Sequence, residues 1–199
     1  MSTYLQYNNH MILHPTDSSK YLYGIAGESP VPPTPSFDEV TIGSQTWMAK
    51  NLAIDDGGEG IYTNTLNYGQ GNVTEYYYTW PAAVRVAATV QGWHLPSKEE
   101  WDTLINAIGS STAATKLSST YGWDKTNGTD DYGFCALPAG WRSTDSYYDD
   151  LYSIAYFWTS TPGTTSNAYH IALWPGTRYI VTGERNNLKG YSVRLVKGG

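Results

Sequence analysis

Hydrophobic and polar residues alternate in short runs along most of the chain, and turn residues separate the runs. Residues 40–48 form such a run, and Gly43-Ser44 at its centre predicts a β-hairpin. One segment has a helical period instead, because its apolar residues follow the i, i+3, i+4, i+7 spacing of a single buried face. These residues are Trp101, Leu104, Ile105 and Ile108.

The ends of this helix are also marked in the sequence. Ser97 and Glu100 have the spacing of a capping box at its start, and Gly109 supplies a stop. A second, shorter helix is predicted over residues 112–117, with Ser110 or Ser111 as its N-cap. Beyond Ser119 the pattern contains only strands and loops. Two early helices followed by β structure indicate an α+β fold.

The N-terminal part of the chain differs from the rest. Residues 29–36 hold four of the ten prolines, which predicts an extended, semi-rigid linker. Before it, Tyr4–Tyr7 and Tyr21–Ile25 alternate around a polar turn and predict a small hairpin. An isolated hairpin is marginally stable, so we expect this one to be an attachment element. The predicted organisation is therefore an attachment hairpin (1–28), a linker (29–36) and a main domain (37–199).

Charge and hydropathy exclude two classes of partner. The net charge is −6 with only 12 Lys and Arg residues, which disfavours nucleic acid because its binding proteins carry a basic face. No stretch approaches the roughly 18 apolar residues of a membrane span. The first residues of the given chain show neither the basic nor the apolar region of a signal peptide.

Aromatic composition is unusual, with 18 Tyr and 8 Trp but only 3 Phe. Tyr and Trp suit half-exposed surfaces that touch a partner, although β proteins in general are rich in aromatic residues. The single cysteine, Cys135, cannot form an intramolecular disulfide. Its apolar neighbours predict a small buried hydrophobe rather than a nucleophile.

Four blocks, most of them anchored by tryptophan, follow one another between about residues 38 and 197. They are Ile42–Leu52, Gly92–Ser97 with Glu100-Trp101, Gly133–Arg142 with Tyr156–Thr161, and Gly190–Val196. Together they resemble the Fibrobacter succinogenes major paralogous domain. The resemblance implies a C-type-lectin-like domain with two helices and short irregular strands. Some members of that family are variable proteins of diversity-generating retroelements, found in bacterial surface proteins and phage tail tips.

The resemblance also implies a division between framework and ligand-binding segments. The framework would be Gly133–Arg142, Phe157–Thr161 and Ser192–Val196, with the loops between them facing ligand. Residues 143–153 have the Tyr, Ser and Asp mixture that binding loops favour. Along residues 168–181, alternation places every second side chain on one face, which we assign to ligand. The predicted ligand-binding residues are Ser143, Asp145, Ser146, Tyr147, Tyr148, Asp149, Asp150, Tyr152, His170, Ala172, Trp174, Thr177 and Tyr179.

Tryptophans in or beside the blocks are expected in the core, whereas Trp174 and Tyr179 are expected to be exposed. The expected core residues are Trp47, Trp93, Trp101, Trp123, Trp141 and Trp158. Exposed aromatic residues can stack on sugar rings or form hot spots for a protein partner. His94, just before the capped helix, is expected to be structural.

Two cysteines that many family members carry are missing here, since residues 88–91 read Ala-Thr-Val-Gln and position 195 is Leu. Their joint loss is expected for a chain that folds in a reducing cytosol, and it favours a phage-virion protein over a secreted adhesin. We therefore expect a non-enzymatic protein that binds a host-cell surface protein or glycan. Its location would be a phage tail or a cell surface, attached through residues 1–28. The sequence does not fix the oligomeric state, although the resemblance allows a trimer, since related tail-tip proteins are often trimers.

Two other functions remain open from the residues alone. A structural or assembly subunit would bury the aromatic loops against sister subunits. A carbohydrate-active enzyme would use a carboxylate pair, either Asp130-Asp131 or Asp149-Asp150, but both pairs lie in stretches typical of solvated loop tips. Asp145, Asp149 and Asp150 could together hold calcium, although the calcium-binding motifs of animal C-type lectins are missing. We expect no cofactor.

Overall fold

The computed structural model describes residues 36–176 and 180–198, together with the backbone of two strands near the N-terminus. The chain divides into two compact units, Met1–Pro33 and Thr34–Gly199. In the first unit, β1 (Tyr4–Tyr7) pairs antiparallel with β2 (His10–Leu13). The sequence predicted Tyr21–Ile25 as a strand of this hairpin, and that segment lies outside the described residues.

Strands dominate the described part of the second unit. They are β3 (Glu39–Ile42), β4 (Gln45–Met48), β5 (Ile61–Asn67), β6 (Asn72–Tyr78), β7 (Trp93–His94), β8 (Trp141–Arg142), β9 (Tyr148–Asp149), β10 (Ala155–Pro162), β11 (Asn167–Leu173), β12 (Val181–Asn186) and β13 (Val196–Lys197). They form small antiparallel sheets with the orders β3-β4-β13-β7, β10-β11-β12, β5-β6 and β8-β9. The helices are α1 (Trp80–Ala87), α2 (Lys98–Ile108) and α3 (Ala113–Leu117).

The predicted α+β, C-type-lectin-like fold is wrong. The regular secondary structure of the described residues is mostly strands in small antiparallel sheets, and the three helices have only 8, 11 and 5 residues. The prediction treated two helices as a layer of the fold. The alternating runs that form strands cover far more of the chain than the helices do. It also missed α1, which begins after the N-cap Thr79 with Pro81 in its first turn.

The capping signals in the sequence predicted the start of α2 correctly and the N-cap of α3 incorrectly. The capping box of α2 is confirmed, because the Ser97 side chain accepts from the Glu100 N–H and the Glu100 side chain accepts from the Ser97 N–H. The buried face of α2 is also the predicted one. The predicted N-caps of α3 are wrong, since α3 begins after Thr112 and has no side-chain cap. Among the three described helices, none is long and apolar enough to cross a membrane.

The core of the second unit consists of two clusters of buried residues. In the first, the rings of Trp47 and Trp101 lie 4.8 Å apart, and Trp101 also contacts Phe157 at 5.5 Å. The second packs α1 against Trp158 and Tyr191, whose rings are 4.3 Å apart. Cys135 is half-buried rather than buried, and it lines a cavity. Trp93 is also half-buried, and it packs against the second cluster.

The last framework block runs between the two clusters. Every residue from Tyr191 to Val196 is buried. Its backbone is bonded to three separate segments, through the N–H groups of Met48, Tyr78 and Trp158, which donate to carbonyls of this block at 3.0, 2.9 and 3.1 Å. A buried segment with neighbours on several sides needs these partners for its polar backbone groups. This buried block, residues 191–196, therefore connects these segments, and we call it the central strut.

Replacing Ser97 by Ala tests the capping box of α2. The substitution removes an acceptor for the Glu100 N–H and should lower the free energy of unfolding by about 1 kcal/mol. Urea denaturation measures this change. Ser111→Ala is the matched control, since Ser111 is exposed and does not cap α3, and it should change stability by less than about 0.5 kcal/mol. Equal effects of the two substitutions would contradict the assignment.

Candidate ligand-binding surface

The segment with the strongest predicted binding signature folds into a tight hairpin. Strand β8 pairs with β9 so that Trp141 lies opposite Asp149 and Arg142 opposite Tyr148. The turn closes with a bond from the Ser143 N–H to the Tyr147 carbonyl at 2.8 Å. The Ser143 hydroxyl is buried and accepts from the N–H groups of Asp145 and Tyr147 at 3.1 and 3.3 Å. Ser143, predicted to bind ligand, is thus the brace of the turn.

Arg142 fixes this hairpin to its surroundings. Its guanidinium lies 3.4 Å from the centroid of the Tyr62 ring on β5. It donates to the Ser146 hydroxyl at 2.7 Å and to the Ser143 carbonyl at 3.1 Å. The backbone of Arg142 also exchanges two hydrogen bonds of 2.8 Å with Gly190. The planar fork of arginine suits several simultaneous contacts, and here it holds both sides of the turn.

The two adjacent tyrosines of the hairpin have different roles. Tyr147 is 52% exposed, and its ring lies 5.9 Å from that of Trp141 in edge geometry. Tyr148 is half-buried, because its hydroxyl donates to the Thr63 carbonyl at 2.9 Å and its ring contacts Tyr77 at 4.9 Å. Tyr147 is therefore presented to solvent and Tyr148 anchors the strand.

The side chain of Lys189 packs on an aromatic ring of this surface. The Lys189 ammonium lies 3.5 Å from the centroid of the Trp141 ring. Burial lowers the pKa of Lys189, and the neighbouring Arg185 lowers it further. The preceding residue, Leu188, is 54% exposed. We call Trp141, Tyr147, Leu188 and Lys189 the aromatic patch.

The carboxylates of the hairpin are divided between solvent and structure. Asp145 and Asp149 are exposed. Asp150 accepts from the Trp141 ring N–H at 3.0 Å and from the Tyr156 hydroxyl at 2.7 Å. Burial raises the pKa of Tyr156, as does its bond to Asp150, which keeps the phenol a donor. Asp150 thus locks the ring under Tyr147.

Asp145, Asp149 and Asp150, which the sequence left open as calcium ligands, do not form a cluster. Over residues 36–176 and 180–198, no three side chains of His, Cys, Asp or Glu lie close enough together to hold a metal ion. The positive φ angle of 54° at Asp150 turns the chain out of the hairpin. The three carboxylates therefore do not converge.

A pocket of about 290 Å³ lies beside the hairpin. It brings together three predicted residues from two different segments, Asp150, Tyr152 and Trp174. Tyr152 is fixed there because its carbonyl accepts from the Asp124 N–H at 2.8 Å and its own N–H donates to Pro138. The rest of the wall includes Trp123, Thr126 and Pro175. Trp174 is half-buried rather than exposed.

His170 and Ala172 were predicted to face ligand, but both are buried. They are only 1% and 2% exposed, because β11 is the central strand of its sheet and both of its faces are covered. Ile171 and Leu173 pack into the first core cluster. On the opposite face, His170 contacts the rings of Tyr156 and Tyr191 at 5.8 and 5.3 Å. Burial lowers the pKa of His170 to about 4. Thr177 and Tyr179 lie outside the described residues.

Several residues of this region were not predicted from the sequence. Trp141 was predicted in the core, yet it is half-buried and supports Tyr147. Leu188 and Lys189 were not predicted, because they lie beyond the alternating run that ends at residue 181. A usable signal was present, since Asn186-Asn187 and Gly190 mark a turn that places an apolar residue between them. No comparable signal joined Trp123 to the pocket.

The core, the hairpin and the pocket lie within a region that matches a known protein family. The family model described as the Fibrobacter succinogenes major domain matches residues 40–197. Neither the curated proteins nor the solved structures give a match. The match covers the core, the hairpin and the pocket, and it begins within β3.

Replacing Gly140 by Ala tests how the hairpin is supported. Gly140 has a φ of +64°, and a Cβ there would lie 2.1 Å from the Asp149 carbonyl oxygen. Gly69→Ala is the matched control, because Gly69 also has a positive φ, +84°, but nothing within 4 Å of a Cβ. Gly140→Ala should therefore cost about 1–3 kcal/mol more than the control, as measured by urea denaturation. Similar losses for both would mean that the hairpin does not depend on this close approach.

Proposed function

The chain belongs to the Fibrobacter succinogenes major domain family, and we propose that it is a non-enzymatic binding protein whose ligand contacts the aromatic patch and the hairpin loop. The observation that carries the proposal is that Tyr147 is exposed on a hairpin that buried contacts hold in place. Its 52% exposure contrasts with the buried braces Ser143 and Arg142. A large side chain held in this way loses little conformational entropy on binding.

The chemistry of the surface suits a protein or glycan on a host cell. Tyr147 and Leu188 offer apolar area, and Tyr can also hydrogen-bond through its hydroxyl. Asp145 and Asp149 are exposed acceptors at the rim, while Lys189 is a donor beside the Trp141 ring. An aromatic centre with polar groups around it is the usual composition of a binding hot spot.

We further propose that the exposed positions of the hairpin can vary between relatives, as in a variable protein of a diversity-generating retroelement. Asp145 and Tyr147 direct their side chains outward, while their backbone N–H groups are held by Ser143. Substitution of such side chains leaves the bracing contacts in place. The proposed setting is a phage tail tip or a cell surface, with residues 1–28 as the attachment element.

Tyr147→Ala tests the proposal directly. Because Tyr147 is half-exposed, its loss should change the free energy of unfolding by less than about 0.5 kcal/mol. Binding to an array of bacterial surface glycans and displayed host-surface proteins should weaken by about 2 kcal/mol, roughly 30-fold in Kd. The array measures this as the shift in half-saturating protein concentration.

Val84→Ala is the matched control, since Val84 is 40% exposed on α1, away from the hairpin in sequence, and should bind as the unsubstituted chain does. Equal binding by Tyr147→Ala would contradict the proposal. A change in sedimentation mass instead of binding would favour the assembly role. Loss of glycan turnover in Asp149→Asn would favour an enzyme.

A further inference from the structure

A second cavity lies away from the aromatic patch. It has a volume of about 410 Å³ and lies between the segment that follows β4 and strand β6. This size falls in the range of roughly 300–1,000 Å³ that small-molecule sites occupy. Much of the wall is apolar, including Leu52, Val73 and Leu137. No residue of the hairpin lines it, so its function is independent of the one proposed above.

A buried carboxylate forms part of this wall. Glu75 is only 2% exposed, although it lines the cavity. One of its oxygens accepts from the Tyr68 hydroxyl at 3.1 Å and the other from the Asn51 amide at 3.0 Å. An ionised carboxylate has acceptor sites for about four hydrogen bonds. Within the described part of the chain, each oxygen thus uses about half of its capacity.

The nearest cation does not pair directly with this carboxylate. Arg194 is fully buried, and its guanidinium donates to the Asn51 side-chain oxygen at 2.7 Å and to the carbonyls of Met48 and Phe134. Asn51 therefore stands between the two charges. Burial raises the pKa of Glu75, while the bonds from Asn51 and Tyr68 and the charge of Arg194 oppose that rise. A buried charge without a direct partner is costly.

The other cation in the wall is already neutralised. The Lys50 ammonium lies 2.7 Å from the Asp38 carboxylate. With Arg194 committed to backbone carbonyls and Lys50 paired, Glu75 remains the charged group in the wall with unused bonding capacity. A bound cation with N–H donors would fill that capacity through charge-assisted hydrogen bonds.

We propose that this cavity binds a small, largely apolar molecule that carries a primary amine. Its ammonium group donates to Glu75, and its apolar body packs against Leu52, Val73 and Leu137. The recognition rests on a half-satisfied buried carboxylate in the wall of a largely apolar cavity, which favours a positive donor and disfavours a carboxylate ligand.

Cys135 provides a reporter for the test, because it is the single cysteine of the chain and lines the same cavity. The rate at which uncharged iodoacetamide modifies it in the folded protein is followed by mass spectrometry. Three probes of similar shape are compared: 2-phenylethylamine, 2-phenylethanol and 3-phenylpropionate. The amine should protect Cys135 at concentrations about tenfold lower than the alcohol, the magnitude of a charge-assisted bond in a buried site. The carboxylate should not protect.

Glu75→Gln keeps the shape of the side chain and should make the amine and the alcohol equally weak. Glu99→Gln removes the same charge at an exposed position of α2 and should leave the amine preference unchanged. Val73→Phe fills the cavity and retains Glu75, so it should abolish protection by the amine. This second variant tests the proposal independently if Glu75→Gln does not fold. Absence of protection by the amine in the unsubstituted chain would overturn the proposal. An undiminished amine preference in Glu75→Gln, or unchanged protection in Val73→Phe, would also overturn it.

Discussion

The guanidinium of Arg194 joins its own segment to two others that are far from it in the sequence, residues 48–51 and Phe134. It donates to the carbonyls of Met48 and Phe134 and to the side chain of Asn51, and it lies 4.3 Å from the centroid of the Phe134 ring. Burial lowers the pKa of Arg194 to about 10, which still leaves it charged at neutral pH. A buried charge requires such a complete set of partners. The segments that supply them cannot separate without exposing that charge to an apolar core.

This constraint explains how the backbone of the hairpin can be held in place while some of its side chains remain exposed. The strut that contains Arg194 continues back to Gly190, whose backbone pairs with Arg142 at the base of the hairpin. Arg142 and Ser143 then hold the turn from inside, and Asp150 holds the Trp141 ring. Side chains that point away from these contacts, such as Tyr147, carry little of the folding energy. The residues that brace the hairpin and the residues exposed to solvent are therefore different residues of one short segment.

The sequence predicted those parts of the structure whose signals are local. The hairpin at Gly43, the capping box of Ser97 and the buried face of α2 each depend on residues within a few positions of one another, and the structure has all three. The fold class and the exposure of His170 depend on which strands lie beside which. Alternation along β11 could not show that both of its faces are covered. For the same reason, the pattern of residues 143–153 could not show the burial of Ser143 or the contact of Lys189 with the Trp141 ring.

The central claim is that buried braces support a surface whose outward side chains are free to vary. It is tested most directly by displaying the chain with every amino acid at each position from 140 to 190 and sequencing the variants that remain folded. The account predicts that Asp145, Tyr147 and Asp149 accept most substitutions, whereas Gly140 and Arg142 accept very few. If Tyr147 and Asp149 proved as restricted as Arg142, or if Arg142 could be replaced freely, the separation of brace and surface would be contradicted.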